Sequence, residues 1–285
     1  MSMNSNPAFS RNAAFRPGQV SRSELEAMYG PNASKTPTAT KDDSATLEQA
    51  YDMPAATAGQ TGRMTVEDTI IKTVLAFAVL IGGAYIGWTF ASFPVMIVGL
   101  VGGLVLGLVN TFKKVPSPGL IIAYAVLQGI FVGAISMVFN SMWDGIVTQA
   151  VIGTLGVIGV TLFLFLSGRF RSSARMTKVV TVAMVGYLVY QVVNMILMAT
   201  GVTGDAQFGL SSANIMGIPL GLIIGVVVVF LAAYSLVLDF ESIKLGAERG
   251  VPAVYAWQGA FGILVTVVWL YLEILRMIAI FRGND

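Results

Sequence analysis

The chain has 285 residues, of which 55% are hydrophobic and only 11% are charged, and its mean hydropathy is +0.77. Soluble domains carry about 25% charged residues, so this composition excludes an ordinary soluble domain and indicates an integral membrane protein. The sequence contains no cysteine and no histidine, which excludes disulfides, a thiol nucleophile and metal sites built from those residues. The net charge of +2 gives no reason to expect a nucleic-acid partner.

The first 64 residues are rich in Ser, Thr, Ala, Asn, Pro and Gly and contain no long apolar run. Such a segment cannot bury enough apolar surface to offset its loss of chain entropy. We therefore predict a disordered cytoplasmic tail over residues 1–64 and a membrane domain over residues 65–285. The start of the tail lacks the apolar stretch of a signal peptide. The similarity of "NPAF" at Asn6–Phe9 to "NAAF" at Asn12–Phe15 is interpreted as chance, with a docking motif as the alternative.

Seven apolar segments follow, each close to the length of about 20 residues that a helix needs to cross the hydrocarbon core. Their apolar runs are continuous rather than alternating, which favours helices over a membrane barrel. The sequence therefore predicts an all-α integral membrane protein, a bundle of seven transmembrane helices. In "TVED", Thr65 is placed to cap the first helix, with Asp68 three residues on. The predicted spans are Ile70–Ala91, Pro94–Phe112, Pro118–Asn140, Ile146–Ser167, Lys178–Thr200, Ile215–Leu238 and Trp257–Phe281.

Basic residues in short loops predict the orientation of the bundle, since they stay on the cytoplasmic side. The loops after the second, fourth and sixth spans are basic, whereas the loops on the other side carry Asp144 and Asp205 and no base. This places the N-terminus in the cytoplasm and, with seven full spans, the C-terminus outside. Arg276 and Arg282 near the C-terminus argue against that, so a re-entrant seventh segment is the alternative. The basic loop residues are Lys113, Lys114, Arg169, Arg171, Arg175, Lys178, Lys244 and Arg249.

Glycines recur every four residues in several spans, a spacing that lets helix backbones approach closely in a membrane. Because glycine is common in membrane helices, we take this only as an indication of a compact bundle. Pro219 falls inside the predicted sixth span and is expected to kink it. The glycine sets are Gly99, Gly103 and Gly107; Gly217, Gly221 and Gly225; and the shorter pairs Gly83/Gly87 and Gly129/Gly133.

Charged residues inside membrane helices are costly and are candidates for function by default. The later spans leave two such places: Asp239, with Glu241 beside it, at the end of the sixth, and Glu273 with Arg276 in the seventh. Each has a structural alternative. Asp239 and Glu241 can simply mark the end of a helix, and Arg276 can extend to the membrane interface. Glu273 and Arg276, three residues apart, can neutralise each other.

Several separated motifs resemble the Bax inhibitor-1 family, in the form common in actinobacteria. They are "LDFESIK" at Leu238–Lys244 and "WQGAFGILVTVVWLYLEILRMIAIF" at Trp257–Phe281, supported by "TVEDTIIKT" at Thr65–Thr73, "YAVLQGIFVGAIS" at Tyr124–Ser136 and the tail "NPAF". The resemblance covers nearly all of residues 64–285. It implies a seven-helix fold with a central last helix, in a multi-pass protein of the bacterial inner membrane.

The resemblance also implies a pH-sensitive calcium leak, gated by two acidic residues that share protons and match Asp239 and Glu273. Three departures from the family pattern stand out. Gln128 replaces a glutamate that is frequent in the third helix, and Glu273 stands where calcium-leak members have aspartate. The second span offers no arginine to partner the acids, so only Asn110, Lys113 and Lys114 at its end could serve.

Two carboxylates that meet in a low-dielectric setting cannot both ionise at low cost. Such a pair would share a proton, and losing it would free oxygens that suit Ca²⁺. The spacing does not bring them together, because a seventh helix that begins at Trp257 places Glu273 about 24 Å along its axis. Contact would require Val251–Gly262 to lie at the cytoplasmic interface or below it. The pairing is therefore implied by the resemblance alone.

The sequence thus favours a pH-sensitive Ca²⁺ leak channel, with a membrane scaffold that binds membrane proteins or proteases through its tail as the alternative. An intramembrane enzyme is disfavoured, because a Ser–His pair and a metal cluster are both missing. We expect no cofactor beyond Ca²⁺ as the permeant ion, and partners limited to the lipid bilayer, Ca²⁺, protons and other membrane proteins. The oligomeric state is not indicated. The candidate residues are Asp239 and Glu273, as pH sensor, ion pathway and calcium ligands, with Glu241, Arg276, Gln128 and Asn110 in support.

Overall fold

The computed structural model describes residues 62–168, 172–204 and 206–283, so the predicted tail lies almost entirely outside the described residues. Within them are seven helices long and apolar enough to cross a membrane. These are α1 (Val66–Thr89), α2 (Phe93–Phe112), α3 (Pro118–Met142), α4 (Ile146–Leu166), α5 (Ala174–Ala199), α6 (Leu220–Glu248) and α7 (Ala256–Arg282). A 3₁₀ turn (Gly209–Ser212) and a short hairpin of β1 (Asn214–Ile215) and β2 (Ile218–Pro219) precede α6, and a second 3₁₀ turn (Ala253–Tyr255) precedes α7.

The last helix is the centre of the bundle. Its buried residues run from Ala256 to Ile280 and occur on every face. Helices α1, α3, α4 and α6 pack against it, and α5 reaches it through the ring contact of Tyr187 with Trp269. The predicted seven-helix bundle with a central C-terminal helix is therefore confirmed. Because α7 is one continuous helix of 27 residues, the re-entrant alternative for this segment is wrong.

The closest helix pair is α1 with α3, and glycines make that approach possible. A Cβ added at Gly87 would fall on the carbonyl of Ile130, and one added at Gly133 would fall on the carbonyl of Ala84. Close backbone contact of this kind is how helices associate in lipid, where the hydrophobic effect gives little drive. The two shorter glycine pairs of the sequence therefore form the tightest interface. In α2, Gly99 makes a similar approach to the backbone of Phe131 in α3.

The sixth helix differs from its predicted span at both ends. It begins at Leu220, so Pro219 is its N-terminal flank rather than an internal kink. The turn before it needs left-handed backbone at Met216 (φ 54°) and Gly217 (φ 84°), which removes Gly217 from the predicted helical glycine row. At its other end α6 continues to Glu248, because a polar helical turn can project beyond the apolar span. Asp239 therefore lies inside the helix and not at its end.

The start of α1 is fixed in two ways. The Thr65 hydroxyl accepts a hydrogen bond from the Asp68 backbone N–H at 3.0 Å, as the capping motif predicted. The preceding residues form an antiparallel bridge with the α6–α7 connection: Met64 N–H donates to the Val251 carbonyl at 2.7 Å, and Ala253 N–H donates to the Gly62 carbonyl at 2.8 Å. This backbone clasp holds the beginning of the membrane domain against the beginning of α7.

The α1–α3 contact predicts a selective effect of alanine at glycine. Gly133→Ala should lower the unfolding free energy of the purified protein in detergent by about 1–3 kcal/mol, the cost of an overpacked contact. Its melting temperature should fall accordingly. Gly156→Ala in α4 is the matched control, because a Cβ there meets nothing within 4 Å. Equal melting temperatures for the two variants would contradict the proposed dependence on close α1–α3 packing.

Candidate functional site

Asp239 lies on α6 and is fully buried, with 0% of its surface exposed. One of its oxygens accepts a hydrogen bond from the Thr266 hydroxyl of α7 at 2.7 Å, and the same hydroxyl lies 3.1 Å from the Gly262 carbonyl of its own helix. We call Asp239 and Thr266 the Asp239 site. It lies in the half of the bundle nearer the α6–α7 connection, since Asp239 is nine residues before the end of α6, about 14 Å of helix rise.

Glu273 lies on α7 and is 3% exposed. Its Oε1 accepts a hydrogen bond from Nη2 of Arg276 at 2.5 Å, and its Oε2 accepts one from the Tyr187 hydroxyl of α5. Helix α6 approaches this part of α7 through a glycine: a Cβ at Gly225 would collide with the Met277 side chain and would lie 3.3 Å from Oε1. We call Glu273, Arg276 and Tyr187 the Glu273 site.

The two carboxylates do not meet in this conformation. Glu273 lies beside Gly225, and Asp239 is fourteen residues further along the same helix, which is about 21 Å of helix rise. On α7, Glu273 and Thr266, the partner of Asp239, are separated by about 10 Å along the axis. This shorter figure is the lower bound, because the Gly225 position lies closer to Met277 than to Glu273. The spacing along the sequence anticipated this separation: α7 begins at Ala256, which carries Glu273 past the depth of Asp239, so the contact implied by the resemblance is not made here. A shared proton, or one Ca²⁺ held by both acids, is therefore not a property of this conformation.

The Glu273 site continues into the α5–α6 connection. Nη1 of Arg276 donates to the Ser211 hydroxyl at 3.1 Å, and Ser211 also bonds the Tyr190 hydroxyl at 2.8 Å. The guanidinium carbon lies 5.9 Å from the ring centre of Tyr187, within range of a cation–π interaction. Nε of Arg276 is buried and has no hydrogen-bond partner.

Asn194 of α5 fixes the turn that carries Ser211. Its side-chain amide donates to the Phe208 carbonyl at 3.2 Å, and its oxygen accepts from the Leu210 backbone N–H at 2.7 Å. Gly209 between them has φ 57°, and a Cβ there would collide with the Asn194 oxygen. The 3₁₀ turn is therefore tied to the end of α5 and lies over the Glu273 site.

The other candidate residues lie apart from these two sites. Glu241 accepts a hydrogen bond from the Ser172 backbone N–H at 2.7 Å, so it connects α6 to the α4–α5 loop. Gln128 of α3 faces α2, where its Oε1 lies 2.5 Å from the position that a Cβ on Gly103 would take. Asn110 of α2 donates to the carbonyls of Leu106 and Leu120 at 2.9 and 3.2 Å. Its amide donors join α2 to the start of α3.

A groove of about 840 Å³ lies between α1 and α4, and neither acid lines it. Its floor includes Tyr271 and Ser136, whose hydroxyls bond each other at 2.7 Å. Almost all the other lining side chains are apolar, so the groove offers few ligands to a cation. Across the described ranges, no three acidic side chains come close enough to form a metal site. The chemistry available to a cation is therefore concentrated at the two buried carboxylates.

Sequence reasoning missed Thr266, Tyr187, Tyr190 and Ser211 as partners of the candidate residues. Thr266 precedes Glu273 by seven residues, a spacing that places both on one side of α7. Tyr187 and Tyr190 are three residues apart on α5, as Glu273 and Arg276 are on α7. This equal spacing is the feature of the sequence that could have suggested that the tyrosines lie opposite the charged pair. No feature of the sequence indicated Ser211, because its contact with Arg276 depends on how the α5–α6 connection folds back over the bundle.

The family model described as "Bax inhibitor 1 like" matches residues 6–283. The chain belongs to this family. A comparison with curated proteins finds no relative that matches it. Family membership supports a multi-pass membrane protein of the Bax-inhibitor type, and it agrees with the central position of α7. The arrangement of Glu273 with Arg276 and Tyr187 is a finding about this chain's own residues.

The Thr266 hydroxyl should stabilise the buried Asp239 carboxylate. Thr266→Val is expected to lower the unfolding free energy by about 1–3 kcal/mol, because a buried polar group loses its donor. Thr154→Val is the matched control, since the buried Thr154 hydroxyl bonds only the Ala150 carbonyl of its own helix. Thermal melts in detergent measure both, and a larger loss in the Thr154 variant would refute the assignment.

Proposed function

We propose that this protein is a cation leak of the cell membrane, with Ca²⁺ as the permeant ion and protons as the regulator. The observation that carries the proposal is the burial of two carboxylates in contact with the central helix, at two depths. A charged group at the centre of a membrane helix costs about 2.5–3.5 kcal/mol to place there. Side chains kept at such a cost commonly lie on ion or proton pathways.

The separation of the two acids changes the mechanism that we propose. The two acids do not share one proton; instead, each acid regulates the passage of Ca²⁺ at its own depth in the membrane. At the Asp239 site, ionised Asp239 and the Thr266 hydroxyl supply oxygens of the kind that Ca²⁺ prefers. Protonation of the Asp239 carboxyl removes the negative charge that attracts the cation. At the Glu273 site, both carboxylate oxygens are already bonded, so this end is closed in the present conformation.

The proposed orientation places the N-terminus in the cytoplasm of a bacterial cell and the protein in its inner membrane. The Asp239 site then faces the cytoplasmic half of the bilayer, and the Glu273 site faces the outer half. The basic residues of the loops support this orientation. A cation that crosses the protein would meet the two carboxylates in succession.

Calcium flux into proteoliposomes tests the proposal directly. Asp239→Asn and Glu273→Gln should each lower the flux by about tenfold or more, since a charge-assisted contact with the ion becomes a neutral one. Asp239→Asn should also flatten the dependence of the flux on pH, because an amide does not titrate in this range. Glu248→Gln is the control, as Glu248 lies at the exposed end of α6. Wild-type vesicles without flux, or acid variants that match the Glu248 variant, would refute the channel.

The scaffold alternative depends on the tail, which lies outside the described residues. Removing residues 1–61 distinguishes the two hypotheses and keeps the Gly62–Met64 clasp. A leak channel should keep its flux after this deletion. A scaffold should lose its partners, while any flux stays unchanged.

A further inference from the structure

The Glu273 site contains its own cation. Arg276 is permanently protonated at accessible pH, and its Nη2 lies 2.5 Å from Glu273 Oε1. The Tyr187 hydroxyl bonds the other carboxylate oxygen. Both oxygens are thus engaged, and the guanidinium fills the position that a free cation would take beside this carboxylate.

Arg276 is held from a second direction by the α5–α6 connection. Ser211 accepts its Nη1 at 3.1 Å and is fully buried, with 0% exposed. The turn around Ser211 is fixed by the two Asn194 hydrogen bonds to Phe208 and Leu210. The guanidinium therefore bridges the central helix and the Gly209–Ser212 turn. A lysine ammonium lacks the planar fork with which arginine donates to Glu273 and Ser211 at the same time.

The closed arrangement leaves one donor unused. Nε of Arg276 is buried without a hydrogen-bond partner, and an unsatisfied buried donor carries a free-energy cost. That cost disappears when the side chain moves into a wetter position. Arg276 is thus held by hydrogen bonds at both Nη atoms, while its Nε has none.

We propose that Arg276 is a tethered counter-cation that closes the Glu273 site, and that the Gly209–Ser212 turn is the cover that holds it there. Opening moves the guanidinium off Glu273 and the turn away from α7 together, because Ser211 links them. The carboxylate oxygen that Arg276 leaves is then available to the permeating ion. This inference rests on the proposed cation leak, and its test separates the two.

The first measurement is Ca²⁺ flux through Arg276→Gln in proteoliposomes. A neutral amide leaves Glu273 open, and we expect flux to rise by about tenfold, the scale of one lost charge-assisted hydrogen bond in a closed state. Arg282→Gln is the matched control: it lies on the same helix six residues later, and its contact is with the Asp144 carbonyl at 2.8 Å. Its flux should equal that of the wild type. Flux in Arg276→Gln at or below the control overturns the inference.

The second measurement does not depend on flux. The chain contains no cysteine, so Leu210→Cys creates a single thiol on the cover and keeps the Ser211 hydroxyl that contacts Arg276. A membrane-impermeant methanethiosulfonate reagent should label it slowly in the otherwise unchanged protein. Adding Arg276→Gln should increase the rate by about tenfold, because the cover loses its link to α7, whereas adding Arg282→Gln should not. Equal labelling rates in the two double variants overturn the role of the cover.

Arg276→Lys keeps the inference testable if the Arg276→Gln variant fails to fold. Lysine keeps the charge beside Glu273 but cannot hold Ser211 at the same time, so flux and labelling should fall between those of the wild type and the glutamine variant. A lysine variant that behaves as the wild type in both assays overturns the inference. If the wild type itself shows no Ca²⁺ flux, the proposed leak fails, and the labelling rates still decide whether Arg276 holds the cover.

Discussion

The pairing of Glu273 with Arg276 is the interaction around which one half of the bundle is arranged. A carboxylate and a guanidinium buried in an apolar bundle need full sets of partners, and three elements besides α7 supply them or make room for them. Helix α5 contributes Tyr187, the α5–α6 connection contributes Ser211, and α6 has Gly225 where a larger side chain would press on the carboxylate. The pair therefore has contacts with α5, with α6 and with the connection between them.

At the Asp239 site, the Asp239 carboxylate of α6 accepts a hydrogen bond from the Thr266 hydroxyl of α7. The site shares α7 with the Glu273 site but lies at a different depth. Two helices join the sites: α7 carries Thr266 and Glu273, and α6 carries Asp239 and Gly225. Displacement or rotation of α7 would alter both sites together, because Thr266 and Glu273 are carried by the same rigid element.

Much of the fold could be predicted from hydropathy alone, since seven apolar runs separated by polar loops leave little choice in a bilayer. The errors have physical causes. Hydropathy ended the sixth span near Asp239, although the α6 helix continues to Glu248, because backbone hydrogen bonding does not stop where apolar residues do. Pro219 was expected to kink the sixth helix, but it directly precedes the first residue of α6. Glu273 and Asp239 could be singled out by their rarity, whereas Tyr187 and Ser211 depend on which helices become neighbours.

The resemblance to a family predicted the correct architecture, whereas the contact that it implied between Asp239 and Glu273 is not made in this structure. The length of chain between Asp239 and Glu273 decided that question. With Ala256 as the first residue of α7, the helix itself carries Glu273 towards the opposite surface. The short spacing between Glu273 and Arg276, which first looked like simple neutralisation, is the contact that the structure contains.

The central position of the last helix has a consequence for the order in which the molecule is made. Domains form from the N-terminus onward during synthesis, so the first six helices enter the bilayer before the central helix exists. The glycine contact of α1 with α3 is available early and needs nothing from α7. The clasp of Gly62–Met64 with Val251–Ala253 joins segments nearly the whole domain apart in sequence, so it closes only at the end. Assembly of this bundle is thus completed from its middle, by the element that is synthesised last.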